Sequence, residues 1–202
     1  LIVVNLFEGA KKPGGATAAV DQALGGAIGD AIAAGDLRGK KGEFALFYSR
    51  GALPARRVLV VGLGPQDKFG LNAVREAAAA AAKKARALGV GSFSSIVHGA
   101  GAGGLTPEAA AQAVVEGTIL GLYRYQELKN EPPDRSDPAR LTLVQFDAAS
   151  LPAVEAGAKT GSIVAEAACL ARDLANRPAN YATPEELAEV AMDIAGEFET
   201  MS

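Results

Sequence analysis

The chain has 202 residues, a length that suits one substantial hydrophobic core. Its hydrophobic fraction of 49% and charged fraction of 21% are ordinary for a globular protein, and its formal net charge is −3. Neither half of the sequence is strongly basic, so a nucleic-acid-binding surface is not expected. The single cysteine, Cys169, excludes an internal disulfide and fits a reducing compartment, so we expect a cytoplasmic protein.

The start of the chain resembles folded protein rather than a targeting segment. The opening LIVVNLFEG has neither a basic stretch nor a cleavage site, so it predicts a strand and not a signal peptide. The apolar runs are far shorter than the ~20 residues that a membrane-spanning helix needs. Because the chain begins at Leu1 rather than Met, we expect that a few leading residues are missing from it.

Short apolar runs predict five β-strands. The third run is continuously apolar from Val58 to Val61, which is typical of a strand that helices cover on both faces. The predicted strands are residues 1–7, 43–49, 56–64, 92–99 and 140–147.

Helical periodicity and capping residues predict five helices. The clearest has an apolar stripe at spacings of three and four residues and ends at Gly89. Thr17, Thr106 and Thr183 are candidate N-caps, and Pro107 suits a first helical position. The predicted helices are residues 17–28, 71–89, 106–129, 153–176 and 183–198.

The order of these elements predicts an α/β fold in three layers. Strands alternate with helices except for the adjacent pair 43–49 and 56–64, which could be antiparallel. We therefore expect an αβα sandwich with a central sheet that is mixed and mostly parallel.

Two glycine-rich stretches follow predicted strands, where α/β folds commonly bind ligands. Gly62–Gly64 precedes a helix and could let backbone amides approach a phosphate, but the third glycine of the dinucleotide fingerprint and a P-loop lysine are absent. The second stretch is Gly99–Gly104, directly after His98. A tight turn explains the first stretch equally well and a mobile loop the second, so the sequence leaves ligand binding open at both.

The other candidate residues form no recognisable site. His98 is the only histidine, which excludes a His-based metal cluster, and no nucleophile is apparent near it in sequence. A structural or surface role is therefore expected for it. Cys169 lies in an alanine-rich helix and is expected to be a small buried residue rather than a nucleophile. The acidic residues lack metal-ligand spacing, so the residues alone indicate a well-formed fold with no visible active site.

The segment ARDLANRPANYATPEELAEVA resembles the stretch that joins the two domains of the leucyl aminopeptidases, the M17 metallopeptidase family. That family carries an N-x-P-x-N-x-x-x-P pattern here, and Asn176, Pro178, Asn180 and Pro184 match it. Three earlier stretches resemble the family in the same order: LIVVNLFEG, RRVLVVGLG with the following REAAAAAAKKARALG, and VVEGTILGLYRYQELK.

This resemblance implies an N-terminal α/β domain that is similar to macro domains, followed by a larger catalytic domain. The family's catalytic domain binds two divalent metals, commonly zinc or manganese, and removes N-terminal residues from peptides. Its metal ligands lie in motifs similar to GKG…DSGG and NTDAEGR, and neither motif occurs here. We therefore assign no catalytic, metal-binding or cofactor-binding residue in this chain, and expect it to be inactive alone.

The resemblance also predicts the domain organisation. Residues 1–176 would form the first domain, and residues 177–202 would be the linker and first helix leading to an absent catalytic domain. The partners implied are that catalytic domain and further copies of the protein in a hexamer, with the first domain supporting assembly and access to the active sites. The alternative is a stand-alone macro-like module that binds a nucleotide or ADP-ribose. DNA binding, which some members of the family show, is not favoured by the acidic composition.

Overall fold

A computed structural model describes residues 1–101 and 103–197 of the chain. The strands are β1 (Ile2–Phe7), β2 (Phe44–Tyr48), β3 (Arg57–Gly64), β4 (Ser92–Ile96) and β5 (Arg140–Val144). The helices are α1 (Gly15–Ala23), α2 (Ala27–Ala34), α3 (Leu71–Ala87), α4 (Pro107–Leu122), α5 (Leu151–Asn176) and α6 (Pro184–Glu197). Within the described residues, no helix combines the length and the apolar character that crossing a membrane requires.

The strands form one sheet in the order β2-β3-β1-β4-β5. β2 pairs with β3 in antiparallel register, and the other neighbouring pairs are parallel. The predicted mixed, mostly parallel sheet is therefore confirmed.

Helices cover the sheet on both faces, which makes three layers. The side chains of β1 and β3 alternate between the two faces: Val3 and Leu59 pack towards α3, whereas Val4 and Val58 pack towards α2. α4 lies beside α3, and α5 packs on the other side of α4. β3 is almost wholly buried because both of its faces are covered.

Several predicted element boundaries are wrong for local reasons. The helix predicted at 17–28 is two helices, because Gly25 and Gly26 adopt positive φ angles and break it. Thr17 is not a cap but a buried helical residue, and its hydroxyl donates a hydrogen bond to the carbonyl oxygen of Asn5. The predicted helix 106–129 ends earlier, at Leu122, and the predicted last residue of α6, Phe198, lies outside the described residues.

The capping predictions for α4 and α6 are confirmed. The Thr106 hydroxyl accepts a hydrogen bond from the amide of Ala109 at 3.3 Å, and Pro107 occupies the first turn. The Thr183 hydroxyl accepts one from the amide of Glu186 at 3.3 Å.

Glycines allow α4 to approach both of its neighbouring helices closely. A Cβ atom on Gly117 would overlap the backbone carbonyl of Arg75 in α3, and one on Gly121 would lie 2.7 Å from the Cα of Ala79. On the opposite side, a Cβ on Gly161 of α5 would lie 2.7 Å from the carbonyl oxygen of Gln112 in α4. Helix α4 is therefore held between two backbones at distances that only glycine permits.

We expect Gly117→Ala to lower the free energy of unfolding by about 1–3 kcal/mol, since the added methyl must displace α3 or α4. Gly196→Ala in α6 is the matched control, because a Cβ there meets nothing within 4 Å. The control should gain about 0.5–1 kcal/mol from helix propensity. Urea unfolding of both variants measures the difference, and equal stabilisation of the two would contradict close packing at Gly117.

Candidate functional site

Backbone hydrogen bonds to other segments already occupy the amides of the first glycine-rich stretch. The amide of Gly62 donates to the carbonyl oxygen of Glu43 at 2.8 Å, and the amide of Gly64 donates to that of Gly39 at 2.9 Å. A Cβ on Gly62 would overlap the backbone of Lys40. Glycine is thus required here by the close approach of the segment before β2, and these two amides have no capacity left for a phosphate.

The second glycine-rich stretch is filled by an aromatic ring. Cβ atoms on Gly99 and Gly103 would lie 2.7 and 2.6 Å from the ring of Phe69, and that ring also packs edge-to-face on Phe7 with centroids 5.0 Å apart. Ala102, within the stretch, lies outside the described residues. The described geometry favours packing over ligand binding at both candidate stretches.

His98 lies in the interior and not on the surface. It is fully buried, with Nδ1 3.0 Å from the side-chain nitrogen Nδ2 of Asn5 and Nε2 3.2 Å from the hydroxyl of Ser95. The Ser95 hydroxyl donates to the carbonyl oxygen of Ile96 at 3.0 Å, so it accepts from Nε2. Asn5 then donates to Nδ1, and the neutral ring has both nitrogens satisfied.

Sequence reasoning missed this buried serine–histidine pair, although Ser95 lies only three residues before His98. Ser95 is 2% exposed, and its proton points to a backbone carbonyl rather than to the imidazole. A nucleophile needs access to substrate and a base that takes its proton. The pair lacks both, so its geometry favours a structural role, which is one of the two roles expected for His98.

Burial lowers the pKa of His98 to about 4, because the apolar interior disfavours the imidazolium ion.

Cys169 was expected to be a small buried residue, and in α5 it is only partly buried. Partial burial raises the pKa of its thiol, which disfavours the reactive thiolate. Within residues 1–101 and 103–197, no three His, Cys, Asp or Glu side chains are grouped so that they could hold a metal ion.

A polar cluster connects the end of α4 to the end of α5. The hydroxyl of Tyr123 donates to a carboxylate oxygen of Asp173 at 2.8 Å and accepts from the side-chain amide of Asn176 at 3.2 Å. The guanidinium carbon of Arg172 lies 5.4 Å from the centre of the Tyr123 ring. Partial burial and the bond to Asp173 raise the pKa of Tyr123, so the phenol stays protonated and keeps donating.

Arg177 extends this cluster to the last helix. Its Nε donates to Glu127 at 2.9 Å and its Nη1 donates to Glu186 of α6 at 2.7 Å. The hydrogen bond from Arg177 lowers the pKa of Glu127, so the carboxylate stays charged. We call the set Tyr123, Glu127, Asp173, Asn176, Arg177 and Glu186 the joint. It connects three segments at the place where the sequence resemblance puts a domain crossing.

One side of α5 presents apolar side chains that the described residues leave exposed or only half covered. The face of α5 that packs on α4 is lined by Gly157, Gly161 and Ala165. About half a helical turn away, an exposed or half-buried stripe recurs at spacings of four, three and four residues. It comprises Ile163, Ala167, Leu170 and Leu174, and we call it the outer α5 stripe.

The buried His98 predicts a loss of stability in acid. The unfolded state binds a proton below pH 6.5, whereas the folded state binds it only below about pH 4. The stabilising contribution of the neutral His98 to the free energy of unfolding is therefore complete above pH 6.5. It is lost as the pH falls from 6.5 to 4. Relative to His98→Gln, the wild-type chain should lose roughly 3 kcal/mol over this window in urea unfolding. A difference between the two proteins that does not change with pH would contradict this.

Comparison with known proteins identifies the family. The sequence profile of the "Cytosol aminopeptidase family, N-terminal domain" matches residues 3–132. A probable cytosol aminopeptidase of Roseiflexus castenholzii is 41% identical over 184 residues, covering 89% of this chain and 36% of that protein. The cytosol aminopeptidase of Pseudomonas aeruginosa is 34% identical over 197 residues, covering 98% of this chain and 39% of that protein. The chain thus spans less than half the length of these relatives.

Solved structures show the same fold. The bottromycin maturation enzyme BotP superposes with a TM-score of 0.71 at 28% identity, covering 97% of this chain and 37% of BotP. A mutant of tomato leucine aminopeptidase superposes with a TM-score of 0.76 at 21% identity, covering 97% of this chain and 39% of the enzyme. The sequence resemblance is therefore confirmed: this chain belongs to the cytosol aminopeptidase family and contains that family's N-terminal domain.

Proposed function

We propose that this chain is the non-catalytic first domain of a leucyl aminopeptidase, whose full-length form removes N-terminal residues from peptides. The observation that carries the proposal is the match to the family's N-terminal domain in a chain that spans 36% to 39% of its relatives. The peptidase chemistry then belongs to the part of the protein beyond this chain.

The joint supports the proposed domain boundary. Asn176 ends α5, the carbonyl of Pro178 accepts hydrogen bonds from the amides of Tyr181 and Ala182, and Thr183 caps α6. A helix stop, a hydrogen-bonded turn and a capped restart are the features expected of an ordered crossing rather than a flexible linker. We therefore assign residues 1–176 to the first domain and residues 177–202 to the connection, of which 198–202 lie outside the described residues.

The outer α5 stripe supports contact with the following domain. The chain leaves α5 just after Leu174, the last residue of this stripe, so a following domain would start from that end of the stripe. Contiguous exposed apolar surface commonly marks a site of protein–protein contact. In this proposal the catalytic domain covers the outer α5 stripe. Through that contact the first domain supports hexamer assembly and access to the active sites.

In this proposal the metals of the full-length enzyme are bound by the part of the protein beyond this chain. The described residues hold no carboxylate, imidazole or thiolate cluster that fits a divalent ion. A structure of BotP is titled as a complex with Mn, which agrees with a manganese or zinc requirement in the catalytic domain. The names of the relatives agree with a cytoplasmic location.

An activity assay tests the proposal. The 202-residue chain with Mn²⁺ should not hydrolyse leucine p-nitroanilide, and the natural longer protein should do so. Turnover by the pure fragment would overturn the assignment of catalysis to the absent part. A longer protein without peptidase activity under the same conditions would overturn the enzyme assignment itself.

A second experiment tests the joint. Tyr123→Phe removes the hydroxyl between Asp173 and Asn176 but keeps the ring. We expect the opening free energy of the α5–α6 connection to fall by about 1 kcal/mol and amide exchange in α6 to speed up about fivefold. Tyr181→Phe makes the same chemical change at an exposed tyrosine whose hydroxyl contacts no described residue, so it should leave exchange unchanged. Equal effects of the two variants would contradict the joint.

A further inference from the structure

Positive charge concentrates at one edge of the sheet. The β2–β3 hairpin, the end of α3 and the segment between α4 and β5 all lie at the edge where the parallel strands begin. These three segments, residues 49–57, 83–86 and 124–140, hold ten of the chain's 20 Lys and Arg residues but four of its 23 Asp and Glu residues. We call this surface the basic edge; it contributes +6 to a chain whose net charge is −3.

Hydrogen bonds show that the three segments meet. Nη1 of Arg57 donates to the carbonyl oxygen of Leu88 at the end of α3. Nη1 of Arg86 donates to the carbonyl oxygen of Leu122 at the end of α4, 3.0 Å away. Nη1 of Arg86 also donates to Asp137 at 3.1 Å, in the segment that leads to β5. The charges are therefore neighbours in space although they are far apart in sequence.

The basic edge contains a groove of about 570 Å³ between the ends of α3 and α4 and the following segment. Five cationic side chains line it, against Glu131 and Asp134. The five are Lys83, Arg86, Arg124, Lys129 and Arg135. This volume falls within the range of small-molecule sites, about 300–1,000 Å³.

Part of this charge has a local explanation and part does not. Arg86 caps the carbonyl end of α4, and Arg86 and Arg124 share the carboxylate of Asp137. Lys83, Lys129 and Arg135 are exposed, and their side chains make no ion pair with any described residue. These three donors remain available to an external anion.

We propose that this groove binds a small polyphosphate anion, either inorganic or attached to a sugar. Several cations that converge on a nucleotide-sized groove suit a ligand with several negative charges close together. No aromatic side chain is among the described residues that line the groove, so it offers no stacking platform for the bases of a single strand. The phosphate chain, not a base, is the feature that these side chains can recognise. The site is independent of the peptidase assignment and uses none of the joint.

Calorimetry of the 202-residue chain with inorganic tripolyphosphate at low salt tests the proposal. We expect saturable binding below about 1 mM that weakens as salt is added. The double variant Lys83→Gln/Lys129→Gln should bind at least about tenfold more weakly. The matched control, Lys11→Gln/Lys12→Gln, removes the same charge from two exposed lysines between β1 and α1 and should stay within about twofold of the wild type.

Each other outcome overturns the proposal. Absence of binding at about 1 mM, or equal weakening of the two double variants, would show that the groove is not a site. A DNA duplex of about 20 base pairs is long enough to span the edge. If the chain binds this duplex but not tripolyphosphate, the ligand is a nucleic acid. Urea unfolding of both double variants checks that a loss of binding is not a loss of fold.

Discussion

The close approach of α4 to the backbones of α3 and α5 is the constraint on which the rest of the structure depends. Gly117 and Gly121 set the distance to α3, and Gly157 and Gly161 set the distance to α5. α4 lies between α3 and α5, so these glycines fix how closely α5 packs and where its last turn lies. Its last turn can then place Asp173 and Asn176 beside Tyr123, directly after the end of α4.

Helix packing therefore sets the geometry of the joint, rather than the hydrogen bonds and ion pairs within the joint. Ion pairs near the surface, such as that of Arg177 with Glu127, contribute little net stability because water screens them. They cannot hold a long helix in place, but they can select one path for the chain once the helix is held.

The sequence was sufficient for the sheet and for most helices, because periodicity and capping are local signals. Thr106 and Thr183 cap the predicted helices, and the one antiparallel strand pair was visible as two adjacent strands. The family was also recognisable from local residues. What the sequence could not provide depends on atoms brought together by folding. Thr17 has the residue type of a cap, but the backbone of β1 takes its hydroxyl. Cys169 has an apolar local setting, yet its helix leaves it partly exposed.

The two glycine-rich stretches also depend on contacts that form only when the chain folds. Those contacts change the functional interpretation of both stretches. In α/β folds ligands usually bind at the carboxyl ends of the parallel strands. At that edge of this sheet the amides of Gly62 and Gly64 are already bonded, and the ring of Phe69, some 30 residues before Gly99 in sequence, occupies the space that the second stretch leaves. A glycine made necessary by a neighbouring backbone has the same sequence signature as a glycine made necessary by a phosphate. The opposite edge shows the converse, because its cations are dispersed over three segments of the sequence and become one surface only when the helix ends meet. In this domain the edge with the sequence signature of a ligand site is filled by packing, whereas the edge without that signature carries three exposed cations that pair with no described carboxylate.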